Sequence, residues 1–173
     1  MTRVVLSVGS NVGDRLARLQ SVVDGLGPAV RAVSPVYETD AWGGVEQGPF
    51  LNAVLIASDP ALDCRAWLHR GQELERAADR TREVHWGPRT LDVDLITCHH
   101  DDGGREVTSA DEELTLPHPY AHRRAFVLTP WLAADPAATL TVSGTVRPVG
   151  EWLSDLDPAE RDGVRPVADA LVR

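Results

Sequence analysis

The segment Asp92 to Cys98 constrains the fold more than any other. In Asp92-Val93-Asp94-Leu95 acidic and apolar residues exchange at every position, the period of a strand whose successive side chains leave on opposite faces. A strand over Asp92–Cys98 therefore points Val93 and Leu95 one way and Asp92 and Asp94 the other. Two carboxylates sharing a face repel each other unless a cation lies between them. Magnesium suits such a pair, because it takes one or two carboxylates together with substrate phosphates. A lone Asp-x-Asp is more commonly a strand whose polar face simply meets water. Just upstream, Trp86-Gly87-Pro88-Arg89 adds an aromatic ring, a rigid turn and a guanidinium fork able to clamp a phosphate oxygen.

The elements before this strand follow from periodicity and punctuation. Val4 to Val8 predicts a short buried strand closed by Gly9-Ser10-Asn11-Val12-Gly13-Asp14, with Asn11 or Asp14 capping the next helix. Leu16, Leu19, Val22, Val23 and Leu26 recur at helical spacing, and Gly25 and Gly27-Pro28 end that helix. Val30 to Tyr37 predicts a second strand, with Pro35 marking an edge or a bulge. Phe50 to Ser58 predicts a third, and residues 61–78 a second helix. Beyond Cys98, Leu114 to Pro119 is extended and Tyr120 to Ala134 helical with an interruption at Pro130. Thr139 to Val142 and Glu151 to Leu156 suggest a short strand and a short helix. Nothing chemical marks residues 135–173, which the spacing leaves without a role.

A chain of 173 residues fits one domain with a sizeable core. The net charge of −9 argues against a nucleic-acid surface, which needs a basic stripe. No apolar run approaches the ~20 residues of a membrane helix, and the start lacks a signal-peptide pattern. Cys64 and Cys98 lie far apart and form no Cys-x-x-Cys, so neither a disulfide framework nor a thiol-rich zinc site is expected. A reducing cytoplasm fits. All 17 basic residues are arginine. The absence of lysine excludes a Walker A loop and every Schiff-base mechanism, so phosphate chemistry here rests on arginine and metal.

Several polar side chains stand out. Asn52 interrupts an apolar strand, and a buried amide must satisfy its donors and its acceptor. It either bridges to a loop or reads a polar heterocycle. Gln72 and Glu75 share a helix side. Arg80, Arg82 and Arg89 crowd a polar loop together with His85. His99-His100-Asp101-Asp102 carries ligand-type residues, yet its Asp-Gly is turn chemistry at a loop tip. His118, between two prolines, is placed either for a ligand contact or for a structural cap.

Taken in order, Gly9-Ser10-Asn11-x-Gly13-Asp14, Tyr37-x-Thr39, Phe50-Leu51-Asn52, Trp86-Gly87-Pro88-Arg89-Thr90-Leu91-Asp92-x-Asp94 and Pro117-His118-Pro119 with Arg124-x-Phe126 resemble the 6-hydroxymethyl-7,8-dihydropterin pyrophosphokinases of folate biosynthesis. The resemblance covers roughly residues 4–135, and the Trp-Gly-Pro-Arg-x-x-Asp-x-Asp string is its most specific part. It implies a single-domain α+β fold, a ferredoxin-like antiparallel sheet sandwiched by helices, which suits the strand-helix-strand-strand-helix-strand order. It also implies transfer of pyrophosphate from ATP to the pterin hydroxymethyl group with release of AMP, by a cytoplasmic monomer using two magnesium ions.

Residue by residue, the resemblance places the metals on Asp92 and Asp94. The pterin falls between Phe50 and Phe126, with Asn52 on its edge and Thr39, Asp40, Ala41, Trp42 and Trp86 around it. Gln72, Glu75, Arg89, Leu95, Thr115, His118 and Arg124 match nucleotide contacts. Arg80, Arg82 and Arg89 match catalytic positions. The loops at residues 39–48 and 79–90 are expected to close over the substrates. Phe50 stands where a tyrosine is common, and Glu113 where an arginine can meet ATP. A magnesium-dependent nucleotide hydrolase and a pterin-binding module without catalysis are the competing possibilities.

Overall fold

The computed structural model describes residues 2–41, 48–79, 91–100 and 104–173. Strand β1 (Thr2–Ser10) leads into α1 (Arg15–Leu26), then β2 (Val30–Val33), β3 (Tyr37–Thr39) and β4 (Phe50–Asp59). Helix α2 (Cys64–Asp79) precedes β5 (Asp92–His100) and three two-residue strands, β6 (Arg105–Glu106), β7 (Ser109–Ala110) and β8 (Thr115–Leu116). Helix α3 (Ala125–Ala134), the hairpin β9 (Thr139–Val142) and β10 (Thr145–Pro148), helices α4 (Val149–Ser154) and α5 (Pro158–Asp162), and β11 (Arg165–Pro166) complete the chain.

A seven-stranded antiparallel sheet runs β11-β3-β4-β1-β5-β6, with β2 also pairing to β4. Its two faces follow from the alternation. Val4, Leu6 and Val8 pack with Leu19, Val22 and Val23 of α1 and Trp67 and Leu74 of α2. Val5, Val54 and Ile56 point the other way, against Val127, Leu128 and Trp131 of α3. Each buried aliphatic or aromatic side chain contributes about 1.5–3 kcal/mol relative to exposure, so both faces are strongly pinned.

Local chemistry sets the element ends. Asp14 caps α1, its Oδ1 accepting the Ala17 N–H at 3.1 Å. Pro35 splits the expected 30–37 strand in two: β2 stops at Val33, β3 begins at Tyr37, and Ser34 fills the break. Its N–H donates to the Val54 carbonyl at 2.9 Å, while its Oγ accepts the Val54 N–H at 2.8 Å. Gly25 does not end α1 but lies within it, where an added Cβ would meet Leu74 of α2 at 2.6 Å.

One expectation is overturned. Cys64 and Cys98 form a disulfide, with Cα atoms 5.9 Å apart. Unbroken alternation along β5 would put Cys98 on the face of Asp92 and Asp94. The ladder with β1 shifts by one residue between Leu95 and Thr97, a bulge that inverts the phase beyond it. Cys98 thereby joins the α2 face beside Cys64, and the linear separation of 34 residues carries no sign of this.

Candidate active site

The carboxylate pair, the aromatic rings and the buried amide meet on the α3 face at one end of the sheet. Gly9 of β1 pairs laterally with both Asn52 of β4 and Asp92 of β5, and Ser7 pairs with Asp94. The register thus sets Asn52, Gly9 and Asp92 in one row and Ser7 and Asp94 in the next. A cavity of about 510 Å³ opens above these rows, lined by Ser7, Gly9, Thr39, Asp40, Phe50, Asn52, Asp92, Asp94, Tyr120, Arg123, Arg124 and Phe126.

Asn52 is 4% exposed and donates through Nδ2 to Thr39 Oγ1 at 2.9 Å. The two alternatives left open by the sequence therefore coexist: the amide bridges to the loop stem and also lines the cavity. Gly9 gives it room, since a Cβ there would lie 3.1 Å from Asn52 Oδ1. On the opposite wall the Arg124 guanidinium lies over both Tyr120 and Phe126, 5.5 Å from each ring centroid, a cation–π arrangement that fixes the Phe126 side. Asp92 and Asp94 are partly exposed while Val93 and Leu95 are buried, the split that alternation demands.

The nucleotide candidates divide. Glu75 accepts the Val93 N–H at 3.0 Å, which ties α2 to the strand of the carboxylates, and Gln72 lies one turn before it on α2. Leu95 belongs to the core on the α2 face, and Thr115 is exposed on β8. His118 is partly buried; its Nδ1 accepts the Tyr120 N–H at 3.2 Å, and its own N–H donates to the Ile96 carbonyl. Burial pushes its imidazole below the ordinary range, with Asp94 opposing and Arg124 reinforcing the shift. Ala41 lines a neighbouring cavity with Asp40 and Phe126. Trp42, Arg80, Arg82, Trp86 and Arg89, with most of both expected closing loops, lie outside the described residues. Glu113 is engaged away from the cavity, with His69 at 2.6 Å and Arg65 at 3.3 Å.

Ser7, Gly9, Tyr120 and Arg123 were not legible as site residues. Ser7 and Gly9 enter only through cross-strand register, and Tyr120 and Arg123 through the turn that starts α3. The Gly-Ser-Asn string, whose Gly9 and Ser10 form the end of β1, was the available signal. Among the described residues no group of three His, Cys, Asp or Glu side chains is arranged to hold a metal. The donor set that fits magnesium is the Asp92–Asp94 pair, whose hard oxygens face the cavity and leave positions for substrate oxygens.

An antiparallel sheet with helices on both faces and an acidic, aromatic-walled cavity defines a class of small-molecule enzyme. Residues 5–136 match the family model 7,8-dihydro-6-hydroxymethylpterin-pyrophosphokinase (HPPK), and the chain belongs to that family. The 2-amino-4-hydroxy-6-hydroxymethyldihydropteridine pyrophosphokinase of Mycobacterium bovis is 64% identical over 95% of this chain and 89% of its own length. The Mycobacterium leprae protein of the same name is 62% identical over 95% and 88%, and that of Methylorubrum extorquens 41% over 92% and 96%. The fold is similar to Plasmodium falciparum HPPK-DHPS with SDX-DHP, at TM-score 0.63 and 11% identity over 88% of this chain. The match spans only 44% of that longer chain.

Proposed function

We propose that the chain transfers the pyrophosphoryl group of ATP to the hydroxymethyl oxygen of 6-hydroxymethyl-7,8-dihydropterin in folate biosynthesis, releasing AMP. Family membership makes it a pyrophosphokinase. The observation that carries the assignment of residues is the single cavity in which Asp92 and Asp94 stand beside Asn52, Phe50 and Phe126. A nucleotide hydrolase has no need of a hydrogen-bonding amide between aromatic walls.

In this assignment the flat pterin lies between Phe50 and Phe126, a stacking geometry suited to an electron-poor bicycle. Asn52 pairs with its edge, and a buried amide left unpaired by an analogue gives strong discrimination. Thr39, Asp40, Ala41, Trp42 and Trp86 complete the pocket. Gln72, Glu75, Leu95, Thr115, His118 and Arg124 hold the nucleotide, and Arg80, Arg82 and Arg89 the phosphates. Asp92 and Asp94 would hold two magnesium ions, which when bound neutralise phosphate charge and align the reacting oxygens.

The pterin hydroxyl oxygen attacks the β-phosphorus and forms the new O–P bond. The bond from that phosphorus to the α,β-bridging oxygen breaks, AMP keeps the bridging oxygen, and the hydroxyl proton passes to solvent. Such transfers depend on positioning and electrostatics more than on a strong base, which suits a site rich in arginine and carboxylate.

Finer features belong to the same proposal. The central β4-β1-β5 order with flanking helices supports a ferredoxin-like sheet in a single domain, with residues 136–173 an extension of it. Among the described residues no helix is long and apolar enough to cross a membrane. We assign a monomer in the cytoplasm, with no nucleic-acid partner. The test is to incubate the protein with magnesium, ATP and the pterin and to measure AMP. Pterin-dependent AMP is expected; ADP, or AMP formed without the pterin, overturns the assignment.

A further inference from the structure

We propose that the C-terminal segment 158–166 helps to build the pterin side of the cavity, with Arg165 as a positioning residue that orients Asn52 through Thr39. The inference rests on the pterin assignment above and concerns a part of the chain beyond the family match at residue 136.

Strand β11 adds to the outer edge of β3, with Arg165 opposite Glu38 and Pro166 opposite Tyr37, and the Val167 N–H donates to the Val36 carbonyl at 3.1 Å. This places the Arg165 guanidinium 3.1 Å from Asp40 and 3.6 Å from Glu38. The other oxygen of Glu38 meets Arg15 of α1 at 3.0 Å, and Arg15 also donates to the Pro49 carbonyl at 2.9 Å. Two arginines from distant parts of the chain therefore fasten both stems of the segment between β3 and β4. Thr39 lies between Glu38 and Asp40, and its Oγ accepts the Asn52 Nδ2 hydrogen bond. Holding residues 38–40 holds the partner that fixes the amide.

A second contact reaches the opposite wall. No side chain of its own caps the start of α3; the Ala125 N–H donates to Glu160 of α5 at 3.2 Å instead. Phe126 is the next residue. A cavity of about 300 Å³ is lined by Thr39, Asp40, Phe126, Glu160 and Gly163, and Thr39, Asp40 and Phe126 also line the larger cavity. The same short segment thus braces the amide side and one aromatic wall.

The test compares binding of the pterin and of a non-transferable ATP analogue, with magnesium present, for the unaltered protein, Arg165→Ala, Arg165→Lys and Glu38→Gln. Arg165 is exposed, as is Asp40, so pterin affinity should fall about three- to fivefold in Arg165→Ala, the upper end of what a solvated ion pair contributes. Glu38→Gln, which leaves the β11 backbone pairing in place, should lose a similar factor, and the two losses should not add. Arg165→Lys should recover part of the loss, and ATP-analogue affinity should stay within about twofold throughout. Unchanged pterin affinity in a folded Arg165→Ala protein, or equal loss for both ligands, overturns the positioning role alone. Failure of the unaltered protein to bind the pterin overturns the site assignment and the brace with it.

Discussion

At Asn52 one N–H is committed to Thr39, which leaves the second N–H and the carbonyl oxygen for a ligand edge among the described residues. That division depends on the missing side chain at Gly9. Gly9→Ala would press a methyl group against Asn52 Oδ1, 3.1 Å away, and overpacking of this kind costs about 1–3 kcal/mol. Titration should therefore show weakened pterin binding with nucleotide binding preserved. Asp92→Asn and Asp94→Asn remove the hard anionic oxygens without changing shape. Turnover should fall at least about a thousandfold, the scale seen when a key electrostatic group is lost, while the thermal midpoint stays near that of the unaltered protein. The two aspartates stood out by residue type and period two and Asn52 as an amide in an apolar strand, whereas Phe50 came only with the family resemblance. Ser7 and Gly9 were not legible, since only the pairing of β1 with β4 and β5 brings them to the same rows.

Elements show the same contrast. The α1, α2, β4 and β5 segments carry long periodic patterns, and each was legible to within a few residues at its ends. The two-residue strands β6, β7, β8 and β11 are too short to show a period. Their pairing is decided by distant ion pairs and edges, which no local pattern encodes. The β7–β8 hairpin illustrates this: Arg65 of α2 reaches Asp111 at 2.6 Å and Glu113 at 3.3 Å. The hydrogen bond from Arg65 holds the Asp111 carboxyl down at about 2, against 3.8 for the free group. A folded-state pKa below the unfolded one stabilises the protein above pH 3.8, and that contribution fades as pH falls towards 2. Arg65→Ala should flatten the fall of the thermal midpoint between those two pH values; a slope equal to that of the unaltered protein would sink the linkage.

At the scale of the whole molecule, the disulfide closes a long span of chain. Cys98 is fully buried and Cys64 nearly so, which shields the bond from reductants even in a reducing compartment. Free-thiol labelling should find none in the folded protein and two after denaturation and reduction. For a separation of 34 residues, Cys64→Ser with Cys98→Ser should cost about 3–4 kcal/mol by loop entropy, read from denaturant unfolding, with turnover kept. The bulge at Ile96 makes both ends of β5 compatible, since before it the strand presents Asp92 and Asp94 to the cavity and after it Cys98 to α2. A strand with such a phase change is insulated along its length. An insertion or deletion at residue 97 would turn Cys98 away from Cys64 and cost the disulfide, yet leave Asp92 and Asp94 on the cavity face.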